Sequence, residues 1–163
     1  MKLIFLILAA SDIVLLSVTA VLGLMVHGET HYFQHFLLGL LSALYTCLFH
    51  VIVFTGFVVS GRIVREAHAA GSLDAATARA VGAAKSRVLR YAMLAIVWTL
   101  ATAALGAIVT EPRTAAAWGI SSHWHLVAGL GMLPVNLAAM AGEFVEIDRN
   151  GRLFAAAFGG GRV

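Results

Sequence analysis

The stretch YFQHFLLGLLSALYTCLFHVIVFTGFVVSG, residues 32–61, is apolar enough to cross a bilayer yet carries two histidines, His35 and His50, on one face. At about 100° per residue on a helical wheel, His35, Gly39, Ser42, Thr46 and His50 fall within roughly 80° of one another. Leu37, Leu40, Leu41, Leu44 and Leu48 cover much of the rest. Leucine suits lipid, so the small and polar stripe is expected to face other protein or a bound group.

The rest of the chain is of the same kind. Of 163 residues, 61% are hydrophobic and 12% charged, a composition that argues against a soluble core. About 20 apolar residues cross a bilayer, and four segments qualify, over about 3–27, 32–60, 89–110 and 122–145. Lys2 followed by Leu3–Ala10 has the look of a secretory signal. The apolar run continues past Asp12 to Val26, however, which is longer than a cleavable core and predicts a retained helix. The expected fold is a single all-α domain over 1–163, an integral membrane bundle of four transmembrane helices.

Charge sets the expected orientation. The 61–90 connection carries Arg62, Arg65, Arg79, Lys85, Arg87 and Arg90, with Lys2, Arg149, Arg152 and Arg162 on the same side. The other two connections hold only Arg113. The positive-inside rule then puts both termini and the long connection in the cytoplasm, in a membrane of bacterial inner-membrane type. This asymmetry accounts for the net charge of +3, and no nucleic-acid-binding motif accompanies it. Within the connection, Arg62–Ala67 still suits a helix and Gly71-Ser72 breaks it. Ser72 is expected to cap the next helix with Asp74 in its first turn, giving a cytoplasmic helical hairpin over about 61–88. His68 there reads as a solvated surface residue. Pro112 should end the third helix, Ser121 or Ser122 cap the fourth, and Pro134 kink it. The end Gly159-Gly160-Gly161 is expected to be disordered.

Some chemistries are excluded. Cys47 is the lone cysteine, so neither an internal disulfide nor a CxxC redox pair exists. No P-loop, dinucleotide fingerprint, GxSxG or HExxH occurs. The remaining signal is histidine. Of seven, His27, His31, His35, His123 and His125 lie at the outer ends of helices one, two and four, near Glu29 and Glu111. Helices two and four run in the same direction, and their interior faces align at an offset of ninety residues. His35 matches His125, Gly39 matches Gly129, Thr46 matches Asn136 and His50 matches Met140. Helix one, read backwards, repeats the order with His27, Gly23, Thr19 and Asp12. A glycine one turn from a histidine removes the Cβ that would keep a flat ligand off the helix.

This pattern resembles membrane-bound b-type cytochromes, in which histidines on two helices clamp haem and one helix can carry two histidines about four turns apart. The resemblance rests on His35, His50 and His125 with Gly39 and Gly129, and it departs at Met140, where a second bis-histidine site would want histidine. It implies one outer haem b between helices two and four, held by His35 and His125, with His27 or His123 as substitutes and His50 as a possible second site. The expected role is electron transfer within a larger redox complex. Two other readings stand beside it. One is an outer-face copper, zinc or iron site made by His27, Glu29, His31, His123 and His125. The other is a cofactor-free accessory or assembly subunit whose polar stripes pack against other membrane subunits or a second copy. In that case His27, His31 and His123 are interfacial polar residues and Met132 and Met140 are packing. His50 and Asp12 lie at the same depth, so a buried Asp12–His50 pair with Asn136 nearby is one expectation for the polar layer, and a catalytic, proton-relay or ligand role for these residues is the other.

Overall fold

The computed structural model describes residues 2–28 and 30–159. Glu29 and the Gly160–Val163 end, which includes Gly161 and Arg162, lie outside the described residues, so the expectations for Glu29 and the glycine-rich end find no structural account. The chain is all-helical: α1 (Lys2–Met25), α2 (Tyr32–Ala69), α3 (Ala75–Thr110), α4 (Pro112–Trp118) and α5 (Ser122–Phe158). Every one except α4 is long and apolar enough to cross a membrane.

The connections follow from local chemistry. α1 and α2 are joined by a tight turn in which the His27 and Thr30 backbones bond reciprocally and Gly28 and His31 take left-handed conformations. α2 ends in a Schellman motif at its far end. The Ser72 N–H reaches the Ala67 carbonyl, the Gly71 N–H reaches His68, and Gly71 supplies the positive φ of 74°. That motif consumes Ser72, whose hydroxyl also donates to Ala67. Asp74 therefore caps α3 in place of Ser72, accepting from the Thr77 N–H at 2.9 Å and the Thr77 hydroxyl at 2.7 Å. Glu111 and Pro112 do more than end α3. With Glu111 as cap and Pro at its first position they open α4, which Gly119 closes in a left-handed conformation. Pro134 sits inside α5, which continues unbroken to Phe158.

The long helices pack in the cyclic order α1, α2, α3, α5, each against its two neighbours. α2 and α5 thus run in the same direction on opposite sides of a shared interior. The leucine face of α2 points outward, with Leu37, Leu40, Leu41, Leu44 and Leu48 all about half exposed or more. α3 approaches its neighbours through small buried residues, Ala84, Ala92, Ala95 and Thr99. Two glycines of α5 let α3 come closer still. A Cβ on Gly131 would stand 2.7 Å from the Trp98 ring, and one on Gly142 would stand 2.7 Å from Tyr91.

The interior differs between its ends. Toward the α2–α3 hairpin it is filled by Phe5, Phe49, Phe57, Val88, Met140 and Ile147, with Phe5 and Phe49 rings 5.3 Å apart. Lys2 and Arg152 both pair with Asp148 there, and Arg87 grips Glu146 through two bonds of 2.5 and 2.8 Å. Toward the opposite, histidine-bearing end the packing opens into a cavity.

Candidate functional site

The cavity has a volume of about 590 Å³, within the ~300–1,000 Å³ of ordinary small-ligand sites. All four long helices line it. His35 of α2 and His125 of α5 face each other across it, with ring centroids 6.1 Å apart and planes inclined at 65°.

Each ring is seated by the helix antiparallel to its own, in the same way. Nδ1 of His35 lies 3.1 Å from the Thr19 carbonyl oxygen of α1, and Nδ1 of His125 lies 3.1 Å from the Thr102 carbonyl oxygen of α3. Four residues on from each threonine is a glycine, Gly23 and Gly106. Side chains on a helix lean toward its N-terminus and cover the preceding turn, so a side chain at either position would screen that carbonyl. An ideal Cβ on Gly23 would stand 2.8 Å from His35 Cε1, and one on Gly106 2.9 Å from His125 Cε1. The repeated Thr-x-x-x-Gly is thus a socket for an imidazole from the neighbouring helix.

The sockets also decide the tautomer. A carbonyl oxygen can only accept, so each Nδ1 donates, and in a neutral ring the proton on Nδ1 leaves Nε2 with a free lone pair. Neither Nε2 has a hydrogen-bond partner among the described residues. Histidine ligands to metals are ordinarily held this way, with the second nitrogen on a carbonyl or carboxylate.

Gly39 and Gly129 also line the cavity, yet neither touches a histidine. A Cβ on Gly39 would meet only Thr19 Cγ2 at 3.9 Å, and one on Gly129 would meet nothing within 4 Å. They widen the cavity, while Gly23 and Gly106 seat the rings. The remaining walls are largely apolar, including Leu24, Phe36, Leu40, Leu126, Leu130 and Met132. Tyr32, Thr110, Ser122 and His123 line its outer part, and the floor carries Ser42, bonded to Thr19 at 2.6 Å, with Thr99.

The other histidines are placed differently. The His27 ring bonds the Met25 carbonyl and is exposed, while His31 occupies the left-handed turn position before α2. Among the described residues no group of three or more His, Cys, Asp or Glu side chains comes close enough to hold a metal ion. His50, Asp12 and Asn136 are all fully buried, but His50 and Asp12 do not pair. Asp12 accepts from the Thr46 hydroxyl at 2.7 Å, whereas His50 reaches across to α5, with Nδ1 2.8 Å from Glu143 and Nε2 3.2 Å from Asn136. Equal depth places two residues on one level without setting the direction each side chain takes. Both nitrogens of His50 are engaged, and Met140 is packed into the apolar core.

The donor set discriminates among ligands. Zinc or copper alone wants three or four protein donors. Of the three histidines that line the cavity, His35 and His125 face each other, and with His123 they form no three-donor group among the described residues. A flat macrocycle that brings its own four nitrogens needs only two. Two imidazoles that both reached one metal ion at about 2.0 Å from nitrogen would have ring centres no more than about 6 Å apart. His35 and His125 meet that spacing. No family model matches this chain, and neither a curated protein nor a solved structure matches it.

Proposed function

We propose that the protein is an integral membrane electron-transfer subunit that binds one b-type haem between His35 and His125. The long apolar helices then form a four-helix transmembrane bundle with the histidine end outward and both termini and the α2–α3 hairpin in the cytoplasm. The charge asymmetry of the connections supports that orientation. The observation that carries the haem reading is the pair of matched sockets, which hold two imidazoles 6.1 Å apart, each with Nδ1 on a backbone carbonyl and Nε2 without a partner among the described residues.

Haem held by two histidines supplies one-electron ferric–ferrous chemistry. The residues supply the rest. Gly23 and Gly106 let the rings sit against their carbonyls, Thr19 and Thr102 orient them, and Gly39 and Gly129 leave room along α2 and α5. His35 and His125 would both be taken up in holding the group, which favours electron transfer over oxygen activation. The electron donor and acceptor are proposed to be partner subunits of a larger redox complex.

The test is the visible absorption spectrum of detergent-purified protein, with metal analysis. A Soret band typical of six-coordinate bis-imidazole iron is expected, and His35→Ala and His125→Ala should each abolish it while His27→Ala and His50→Ala retain it. Bound copper, zinc or iron without that band would replace this reading with a surface metal site. Protein free of metal that also fails to take up added haemin would leave an accessory subunit.

A further inference from the structure

Beyond the cavity floor lies a second set of titratable groups that the electron-carrying site does not use. His50 and Glu143 are fully buried, and their surroundings limit where protons can sit. The Asn136 side-chain N–H donates to the Met132 carbonyl at 2.9 Å, which presents Asn136 Oδ1 to His50 Nε2. An amide oxygen only accepts, so Nε2 carries a hydrogen. The other ring nitrogen, Nδ1, shares one proton with Glu143 Oε1 across 2.8 Å, either as an acid on a neutral imidazole or as a carboxylate on an imidazolium. Glu143 Oε2 has no partner. It can take a second proton while Oε1 goes on accepting from Nδ1.

That oxygen is one of a series. Asp12 Oδ2, Thr99 Oγ1 and Asn150 Oδ1 are likewise buried and unpartnered among the described residues. At 1.5 Å per residue, Asn150 lies about 10 Å from Glu143 toward the hairpin end, and Asn136 about 10 Å from it toward the cavity. On α2, Ser42 lines the cavity floor, Thr46 follows one turn deeper on Asp12, and His50 follows one turn below that. Buried oxygens with unused lone pairs are where ordered water sits, and Asp, Glu and His in a membrane interior mark proton relays. The nearest charged or titratable groups on the other elements are Asp12 of α1, bonded to Thr46 one turn from His50, Arg87 of α3, bonded to Glu146 three residues on from Glu143, and Tyr91 of α3, beside Gly142. Arg87 is committed to Glu146, so its charge is already balanced there.

Resting on the haem reading, we infer that His50–Glu143 is a redox-linked proton site fed from the cytoplasmic end. When a one-electron donor reduces the group in the cavity, one proton from cytoplasmic water passes along the Asn150 side of the column and forms an O–H bond at Glu143 Oε2. The added electron and proton cancel in net charge within the low-dielectric interior, where uncompensated charge is most costly. Reoxidation releases the proton by the same route.

The experiment takes full-length, haem-loaded protein in detergent and reduces it at an electrode. Infrared difference spectra are recorded in H₂O and D₂O, and proton uptake is read with an indicator dye in weak buffer. Reduction should produce a carboxylic C=O band that shifts in D₂O, with uptake of up to one proton per electron and a midpoint potential that falls as pH rises. Glu143→Gln should lose the band and the uptake, and Asp148→Asn should keep both. Uptake by the wild-type protein does not depend on any variant folding. Haem that binds and reduces with no proton uptake overturns this inference and leaves the haem reading standing. A band that survives in Glu143→Gln overturns the assignment to Glu143, and protein that binds no haem overturns both readings.

Discussion

Replacing Gly23 by alanine adds one methyl group to the wall behind His35. Its Cβ would lie 2.8 Å from His35 Cε1 and 3.2 Å from Nδ1. Carbon atoms settle at about 3.5–4.0 Å, so the ring must retreat by about 0.7 Å or more. The Nδ1 bond to the Thr19 carbonyl is already 3.1 Å long, and a retreat of that size takes it beyond the ~3.5 Å at which a hydrogen bond ceases to count. The lost bond is worth about 1 kcal/mol. The larger effect is on the ligand, since loss of an orienting partner commonly costs about 10–100-fold in affinity. Gly106→Ala repeats the experiment on His125, with its Cβ 2.9 Å from Cε1. Alanine is about 1 kcal/mol better than glycine inside a helix, so the fold itself should survive.

The assay is titration of apoprotein with haemin at the Soret band, with thermal unfolding of the apoprotein as control. Each variant should bind about 10–100-fold more weakly with little change in unfolding temperature. Unchanged affinity in both would refute the reasoning that the sockets orient the ligands. Gly39→Ala and Gly129→Ala provide the contrast. The protein alone has room for both methyl groups, so any weakening there reports a ligand lying against α2 and α5.

Two further outcomes follow from the hairpin end. Arg87→Ala removes the two-bond partner of Glu146, whose side chain is only 6% exposed, and should destabilise the protein by about 1–3 kcal/mol in denaturant unfolding. A loss under about 0.5 kcal/mol would make the pair an ordinary surface salt bridge. The Thr77 hydroxyl first, and then its backbone N–H, hold the Asp74 carboxyl below its ordinary value of 3.8. A lowered folded value means that the cap's contribution is complete above the ordinary value and fades as pH falls through the depressed one. Amide exchange over the first turn of α3 should therefore accelerate only in that acidic window, and Asp74→Ala should remove the pH dependence.

Much of this was legible in the chain alone because it is local. Helix length, apolar content and the stripe from His35 to His50 depend on the 3.6-residue period. The ninety-residue match of His35 with His125 likewise needs no knowledge of packing. Both halves of each socket were also in view, since Thr19 with Gly23 and Thr102 with Gly106 share a face on α1 and α3. Their meaning was hidden because a helical wheel pairs a histidine with the glycine on its own helix, whereas an imidazole reaches outward to the next one. The same limit hid the partner of His50. Its depth suggested Asp12, but helix rotation turned Asp12 to Thr46 and His50 across the interior to Glu143. The sequence by itself determined which residues line each helix face and how deep they lie. The tertiary structure decided which faces meet, because ring order and rotation are settled by the packing of all four long helices at once.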